Sequence, residues 1–296
     1  MSGWRPDALL KGFEALELEF PADYDGPVVA TLVRLPAGDA PRGAVLYVHG
    51  FVDYFFQRHM AERFAMEGYA FYALDLRKHG RSLRPYQHAN FCKHIAEYHA
   101  DITRAIEAIG APVLLAGHST GGLVCALYAH EGGRRAEVRA LWLNSAFFDW
   151  RLAAWRHTLV PFAAALGRHF PFLSDPTAPL LPDYTEQLIA DGWEFDTRLK
   201  PVAGFPVYYG WVGAISDAQA KVRRGLAIAC PVLSMHSDEA DIVLDWRHIA
   251  RWSRNLGRNV TVLAFPGAVH DLVLSRREVR EEVFSQLFAW AERAPR

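Results

Sequence analysis

The sequence of 296 residues is short of cysteine, of excess charge and of long apolar runs. Its three cysteines, Cys92, Cys125 and Cys230, are scattered among apolar residues without metal-ligand spacing, which favours free buried thiols over disulfides or a metal site. The formal net charge of −1 gives no reason to expect nucleic acid or an anionic membrane as a partner. No uninterrupted apolar run reaches the roughly 20 residues needed to span a membrane, and the N-terminal residues lack the apolar core of a signal peptide. We therefore expect a cytoplasmic protein with no stable membrane insertion.

Short apolar segments alternate with amphipathic segments over most of the chain. Eight strands are predicted, at residues 16–20, 28–35, 44–48, 70–74, 113–116, 140–143, 231–235 and 260–264. Helices are predicted at residues 55–66, 91–109, 246–256 and 277–293. A Pro/Asp/Gly turn separates the first two strands and predicts an antiparallel hairpin at one edge of the sheet. The alternation that follows predicts an α/β fold, a mostly parallel eight-stranded sheet with helices on both faces.

The alternation lapses between residues 146 and 225, a stretch rich in Trp, Phe and Pro. We interpret this stretch as a helical cap inserted after the sixth strand of a core domain that comprises residues 1–145 and 226–296. A cap above the carboxyl ends of the strands would contribute to a pocket, and its aromatic density favours a hydrophobic substrate. The candidate substrate-binding residues are Trp150, Trp155, Trp193, Tyr209 and Trp211. For any single one of them, the alternative is a role in the cap's own core.

Residues 113–127 contain the strongest functional signal in the chain. An apolar strand ends in Gly-His-Ser-Thr-Gly, residues 117–121, and passes directly into small and apolar residues at helical spacing. This pattern predicts a strained turn with Ser119 at its apex, which Gly117 and Gly121 make possible. A third glycine, Gly122, would let the helix pack closely against the strand. Ser119 is therefore a candidate nucleophile, and the alternative is a Ser-Gly turn that merely begins a helix.

A serine hydroxyl needs a base, most often an imidazole that a carboxylate orients. Among the 13 histidines, His270 lies in the loop just after the last predicted strand, at the carboxyl edge where sites of open parallel sheets gather. The loop after residues 231–235 offers three acids, Asp238, Glu239 and Asp241. We favour Asp241, because the Ile-Val-Leu that follows it would anchor its loop. Asp238 is the alternative candidate, and a solvated acidic turn is the non-functional interpretation.

An acyl-transfer transition state carries negative charge on the former carbonyl oxygen, and this oxyanion needs N–H donors already aimed at it. The Thr120 N–H follows the candidate nucleophile at the N-terminus of the predicted helix. The second donor is expected in the loop after the third strand, where His49-Gly50-Phe51 offers the Phe51 N–H. His49 and His118 adjoin glycines in these two loops, and we expect them to orient the loops rather than to act as the base.

Together these motifs resemble the α/β-hydrolase superfamily, and within it the monoglyceride-lipase and lysophospholipase-like branch, also labelled serine aminopeptidase-like. The matching motifs are residues 49–50, 79–82, 117–121, 241–245 and 266–270. The resemblance implies a serine hydrolase that cleaves carboxylic esters of hydrophobic acyl or aromatic substrates, with Ser119, Asp241 and His270 as catalytic residues. It implies no metal ion and no organic cofactor. Thr120 stands where the branch commonly has Met.

The same catalytic residues would also serve a peptidase or amidase, an acyltransferase or a carbon–carbon bond hydrolase. Haloalkane dehalogenases and epoxide hydrolases of this fold are disfavoured, because they have Asp where this chain has Ser119. A ligand-binding protein without activity is the remaining class, since a fold does not determine a function. The expected partner is a small hydrophobic ester rather than nucleic acid, and the oligomeric state is left open.

Overall fold

The computed structural model describes residues 3–36, 38, 40–174, 182–238 and 240–293 of the chain. Within these ranges the strands are β1 (Arg5–Pro6), β2 (Glu14–Asp23), β3 (Gly26–Arg34), β4 (Gly43–Val48), β5 (Tyr69–Asp75), β6 (Val113–His118), β7 (Val138–Asn144), β8 (Val232–His236) and β9 (Val260–Ala264). The helices are α1 (Arg58–Met66), α2 (Ala96–Ile109), α3 (Thr120–Glu131), α4 (Ala154–His157), α5 (Val160–His169), α6 (Pro182–Ala190), α7 (Tyr209–Arg224), α8 (Trp246–Ser253) and α9 (Arg277–Ala291).

The strands of the described residues form one sheet in the order β1-β2-β3-β5-β4-β6-β7-β8-β9. Strands β4 to β9 pair in parallel with one another, whereas β1, β2 and β3 join the edge in antiparallel pairs. The mostly parallel sheet and the hairpin of β2 and β3 are therefore confirmed. The prediction of eight strands is one short, because β1 has only two residues, both exposed, and so carries no apolar pattern. The sixth predicted strand is consequently β7.

Neighbouring residues of the central strands belong to two apolar cores, one on each face of the sheet. On β4, Leu46 belongs to the first core, whereas Val45 and Tyr47 belong to the second. Successive side chains of a strand point to opposite faces, so each strand contributes to both cores. Helices α2 and α3 complete the first core, and α1 and α9 complete the second. Burial on both faces explains why these strands are almost continuously apolar.

Two helices begin later than the apolar periodicity predicts. Helix α1 begins at residue 58 instead of 55, and the Phe55 N–H donates to Asp75 Oδ1 at 2.8 Å. Helix α2 begins at residue 96 instead of 91, and the Lys93 N–H donates to Glu97 Oε1 at 2.8 Å. Side-chain acceptors of this kind compete with helical hydrogen bonds. The periodicity extends into the preceding loops because their apolar residues are buried as well.

Helices α4 to α7 lie between β7 and β8 in the described part of the chain. Helices α5 and α7 approach each other so closely that a Cβ atom on Gly167 would lie 2.2 Å from the Tyr209 carbonyl oxygen. Phe172 joins this segment to the core, since its ring stacks on His88 with centroids 4.0 Å apart. No helix within the described ranges combines the length and the apolar character needed to cross a membrane.

Candidate active site

Ser119 occupies a tight turn between β6 and α3. Its backbone has φ 51° and ψ −117°, a left-handed conformation that is strained for any residue except glycine. A Cβ atom on Gly117 would lie 2.6 Å from the Gly121 carbonyl oxygen, and one on Gly121 would lie 2.3 Å from the His49 carbonyl oxygen. The glycines therefore permit the close approach of β6, α3 and the loop after β4. This approach places Ser119 at the carboxyl edge of the sheet.

His270 lies between Ser119 and Asp241. Its Nε2 atom is 3.0 Å from Ser119 Oγ, and its Nδ1 atom is 2.9 Å from Asp241 Oδ2. The carboxylate accepts the Nδ1–H, which leaves the Nε2 lone pair to accept the proton of the serine hydroxyl. His270 and Asp241 are each only 2% exposed. The turn after β6 and the loop after β9 thus bring Ser119 and His270, 151 positions apart, into contact, and the loop after β8 adds Asp241.

Asp241 is held by backbone donors on the side away from His270. Its Oδ1 atom accepts the Val243 N–H at 2.7 Å and the Leu244 N–H at 2.9 Å, so Oδ2 faces the imidazole. Burial raises the pKa of Asp241, but the attraction of His270 and these hydrogen bonds lower it by more. The net pKa is therefore below the usual range. The carboxylate is therefore ionised at neutral pH.

The other acids of this loop have different positions. Asp238 Oδ1 accepts the Ala240 N–H at 3.1 Å and the Gly267 N–H at 3.2 Å, which ties the loop after β8 to the loop after β9. Glu239 lies outside the described residues. Of the two acids that the structure describes, Asp241 is therefore the one that reaches His270.

Phe51 and Thr120, the predicted oxyanion donors, line the same cavity as Ser119. His49 Nε2 accepts the Leu76 N–H at 3.1 Å, so the ring proton resides on Nδ1 and is donated to the Gly50 carbonyl oxygen at 2.7 Å. Because a trans peptide directs its C=O and N–H to opposite sides, this contact turns the Phe51 N–H away from His49. Thr120 begins α3, where helical N–H groups lack partners. Among the described residues, neither N–H makes a hydrogen bond.

A cavity of about 530 Å³ opens at Ser119. Much of its wall is aromatic: the Phe51 ring stacks on Trp211 with centroids 4.1 Å apart, and Trp150 meets Trp211 edge-on at 6.0 Å. Four of the five predicted substrate-binding residues line the cavity, namely Trp150, Trp155, Tyr209 and Trp211. The rest of the apolar wall includes Phe147, Leu152, Leu159, Val160, Phe162, Val207, Val212, Val243 and Leu244.

Trp193, the fifth predicted residue, does not line the cavity. Its Nε1–H donates to the Leu274 carbonyl oxygen at 2.8 Å, and its ring lies 4.8 Å from that of His59. It packs against the second core, whereas Trp150 and Trp211 pack against the first. Aromatic density alone does not tell which core an indole joins, so the sequence contained no signal for this difference.

The cavity wall also contains a buried ion pair that no pattern in the sequence predicts. Lys200 Nζ lies 2.9 Å from Asp53 Oδ1, and their side chains are 5% and 3% exposed. His118 Nδ1 lies 3.8 Å from Asp53 Oδ2, too far for a hydrogen bond, and within the described chain neither His118 ring nitrogen has a partner. Burial, and then the neighbouring His270, hold the pKa of His118 well below its usual value, so this imidazole is neutral. Part of the cavity wall is therefore polar.

The chain is similar to a known protein family and to several known lipases. The family model described as serine aminopeptidase, S33, matches residues 39–277. A monoacylglycerol lipase of Mycolicibacterium smegmatis is 27% identical in an alignment of 249 residues, which covers 78% of this chain and 82% of that protein. A soluble variant of the Saccharomyces cerevisiae monoglyceride lipase, in complex with a substrate analog, has a TM-score of 0.73 at 19% identity over 94% of this chain and 96% of its own. The Paleococcus ferrophilus monoacylglycerol lipase has a TM-score of 0.69 at 24% identity over 88% and 97%.

Proposed function

Because the chain belongs to the serine aminopeptidase S33 family, we propose that it is a serine hydrolase that cleaves carboxylic esters of hydrophobic acyl groups. It has the α/β-hydrolase fold of the lipases and esterases that resemble it. The observation that supports the proposal most strongly is the hydrogen-bonded series Ser119–His270–Asp241 at the wall of a largely aromatic cavity. An apolar cavity suits an acyl chain better than a peptide, which favours an esterase over an aminopeptidase.

In the proposed mechanism, Ser119 Oγ attacks the ester carbonyl carbon while His270 Nε2 takes the hydroxyl proton. Asp241 holds the imidazole and stabilises the imidazolium. The Phe51 and Thr120 N–H groups donate to the oxyanion. His270 then gives its proton to the departing alkoxide, which leaves an acyl-enzyme. A water molecule, deprotonated by His270, attacks the acyl carbon, and collapse of the second tetrahedral intermediate releases the carboxylic acid and returns the proton to Ser119.

The cavity wall has apolar and polar parts, which support a substrate with an apolar acyl group and a polar alcohol. The acyl chain lies along the aromatic wall of Phe51, Trp150 and Trp211. The alcohol lies against the polar part of the wall, where Asp53 can accept a hydrogen bond and Lys200 can donate one. A monoacylglycerol has both features, and monoacylglycerol lipases are among the relatives of this chain. We therefore propose monoacylglycerols and related esters as substrates.

Residues 146–225 act as a cap over residues 1–145 and 226–296 in this proposal. Two contacts between the inserted segment and the catalytic loops support it. Arg151 Nη1 donates to the Asp241 carbonyl oxygen at 2.6 Å. The Tyr184 ring lies edge-on to His270 with centroids 5.5 Å apart. Movement of the segment would therefore affect both the acid and the base, as well as access to Ser119.

Hydrolysis of p-nitrophenyl esters from acetyl to palmitoyl, and of monoacylglycerols, tests the proposal. Ser119→Ala is expected to lower kcat by at least about 1,000-fold without loss of folding, because no other group replaces the nucleophile. Ser145→Ala is the matched control, since this buried serine lies one residue beyond β7 and its hydroxyl has no partner in the described chain. Full activity in the Ser119 variant would refute the assignment.

The pattern of turnover separates the remaining alternatives. A maximum at one acyl length would measure the depth of the cavity. If the wild-type protein reacts with a fluorophosphonate but hydrolyses none of these esters, the assignment of Ser119 as nucleophile stands. The proposal that the substrate is an ester is then contradicted. Amides, thioesters and carbon–carbon substrates would then be the next assays.

A further inference from the structure

Asp271 is a fully buried carboxylate next to the proposed base, and the mechanism above does not use it. Its Oδ1 atom accepts the Asn144 Nδ2–H at 2.7 Å and the Val273 N–H at 3.2 Å, and its Oδ2 atom accepts the Gln57 Nε2–H at 3.1 Å. Burial raises the pKa of Asp271 above its usual value, and these donors offset only part of that rise. In each of these contacts a carboxyl oxygen of Asp271 is the acceptor.

Asn144 connects this carboxylate to the nucleophile. It is the last residue of β7, opposite His118 in the ladder between β6 and β7. Its carbonyl oxygen accepts the Ser119 N–H at 3.0 Å. Its side chain accepts the Leu272 N–H at 3.1 Å and donates to Asp271 at 2.7 Å. One residue therefore contacts the Ser119 turn through its backbone and the His270 loop through its carboxamide.

The carboxamide suits this position because it both donates and accepts. An aspartate at position 144 would retain the acceptor for Leu272 but would oppose the Asp271 carboxylate. An alanine would lose both contacts and leave buried polar groups unpaired, since Asn144 and Asp271 are completely buried. The His270 loop would then be free to shift relative to Ser119.

We propose that Asn144, acting through Asp271, is a positioning residue that aligns the His270 imidazole with the Ser119 hydroxyl. The inference rests on the proposed serine mechanism. Proton transfer from Ser119 requires the 3.0 Å contact between Oγ and His270 Nε2. A displacement of about 1 Å in a catalytic group can cost about 100-fold in rate. Substrate binding depends on the cavity wall, which neither Asn144 nor Asp271 lines.

The test compares Asn144→Ala, Asn144→Asp and the exchange N144D/D271N with the wild type. Asn144→Ala is expected to lower kcat by about 10- to 100-fold and to leave KM within about two-fold. The rate constant of fluorophosphonate labelling should fall by the same factor as kcat. Asn144→Asp should be impaired at least as strongly. In the exchange N144D/D271N, the amide at position 271 can donate to the carboxylate at position 144. Its kcat should therefore be at least about ten-fold higher than that of Asn144→Asp.

Ser253→Ala is the matched control for the loss of a buried hydrogen bond. Ser253 Oγ lies 2.7 Å from Ser234 Oγ, between α8 and β8. This variant should lower the thermal midpoint while keeping both kcat and the labelling rate. All rates are measured well below the thermal midpoint of each variant, so that a fall in kcat reports alignment rather than unfolding.

The inference is overturned if folded Asn144→Ala keeps kcat within about two-fold of Ser253→Ala, or if the exchange is no faster than Asn144→Asp. If only one of Asn144→Ala and Asn144→Asp folds, the criterion for the variant that does fold determines whether the inference stands. If neither variant folds, the kcat of Asp271→Asn is compared with that of Ser253→Ala by the same two-fold criterion. The carboxamide introduced at position 271 has one acceptor oxygen, so it can accept from the side chain of Asn144 or of Gln57 but not from both. A wild-type rate in Ser119→Ala would refute the proposed function, whereas an inactive Ser119→Ala beside a fully active Asn144→Ala would refute only the positioning role.

Discussion

Replacing Lys200 with methionine should destabilise the protein strongly, because it leaves the Asp53 carboxylate unpaired in the cavity wall. The two charged atoms lie 2.9 Å apart, and both side chains are almost completely buried. At this separation an effective dielectric constant of about 20 gives an attraction of about 6 kcal/mol. The neighbouring His118 imidazole is neutral and offers no compensating charge.

The expected cost in the free energy of unfolding is roughly 3–5 kcal/mol, the usual range for removing one partner of a buried ion pair. It is smaller than the direct attraction because water can enter the cavity and solvate the carboxylate. Methionine has nearly the length of lysine, so little packing is lost. Denaturant unfolding of Lys200→Met, Asp53→Asn and the double variant measures the effect. The coupling free energy between the two positions should reach at least about 2 kcal/mol.

Lys221→Met is the matched control. Lys221 Nζ lies 2.7 Å from Glu131, but these side chains are 44% and 36% exposed, so the loss should be about 0–1 kcal/mol. A cost below about 1 kcal/mol for Lys200→Met, or single effects that add within about 0.5 kcal/mol, would refute the argument that the Asp53–Lys200 pair is desolvated.

Three further predictions concern the turn, the pH dependence of stability and the cavity. Gly121→Ala should prevent correct folding, because its Cβ atom would lie 2.3 Å from a backbone oxygen; Gly133→Ala, whose nearest contact is 3.7 Å, should fold normally by circular dichroism. Burial lowers the pKa of His99 to about 4, so the unfolded chain binds this proton first and the free energy of unfolding should fall as pH drops from 6.5 towards 4. His99→Phe should flatten that slope by up to about 1.4 kcal/mol per pH unit. Trp150→Ala should raise KM for long-chain esters roughly 10-fold, and Trp193→Ala should not.

Each of these predictions has a clear contrary result. A folded Gly121→Ala with wild-type stability would mean that the turn has room for a side chain. An unchanged slope in His99→Phe would show that this histidine does not resist protonation in the native state. Equal KM values for the two tryptophan variants would contradict the division between cavity and core.

Local sequence was sufficient for much of the fold and for the candidates at its site. The alternation of apolar and amphipathic segments depends on near neighbours, and it identified eight of the nine strands in the described residues. The glycines around Ser119 predicted a strained turn, because close approach is a property of those positions. Asp241 and His270 were singled out by their positions in loops that follow predicted strands, and the structure brings them within hydrogen-bond distance of one another.

Packing between distant segments determines the rest. Lys200 and Asp53 are 147 positions apart, and Asn144 and Asp271 are 127 apart, so no local pattern links the members of either pair. Trp150 and Trp193 belong to the same aromatic segment, yet they join different cores. Burial and hydrogen-bond pairing are set by which faces meet after the chain has folded. Residue type and spacing therefore identify the chemistry available to this chain, whereas tertiary contacts decide which side chains take part in it.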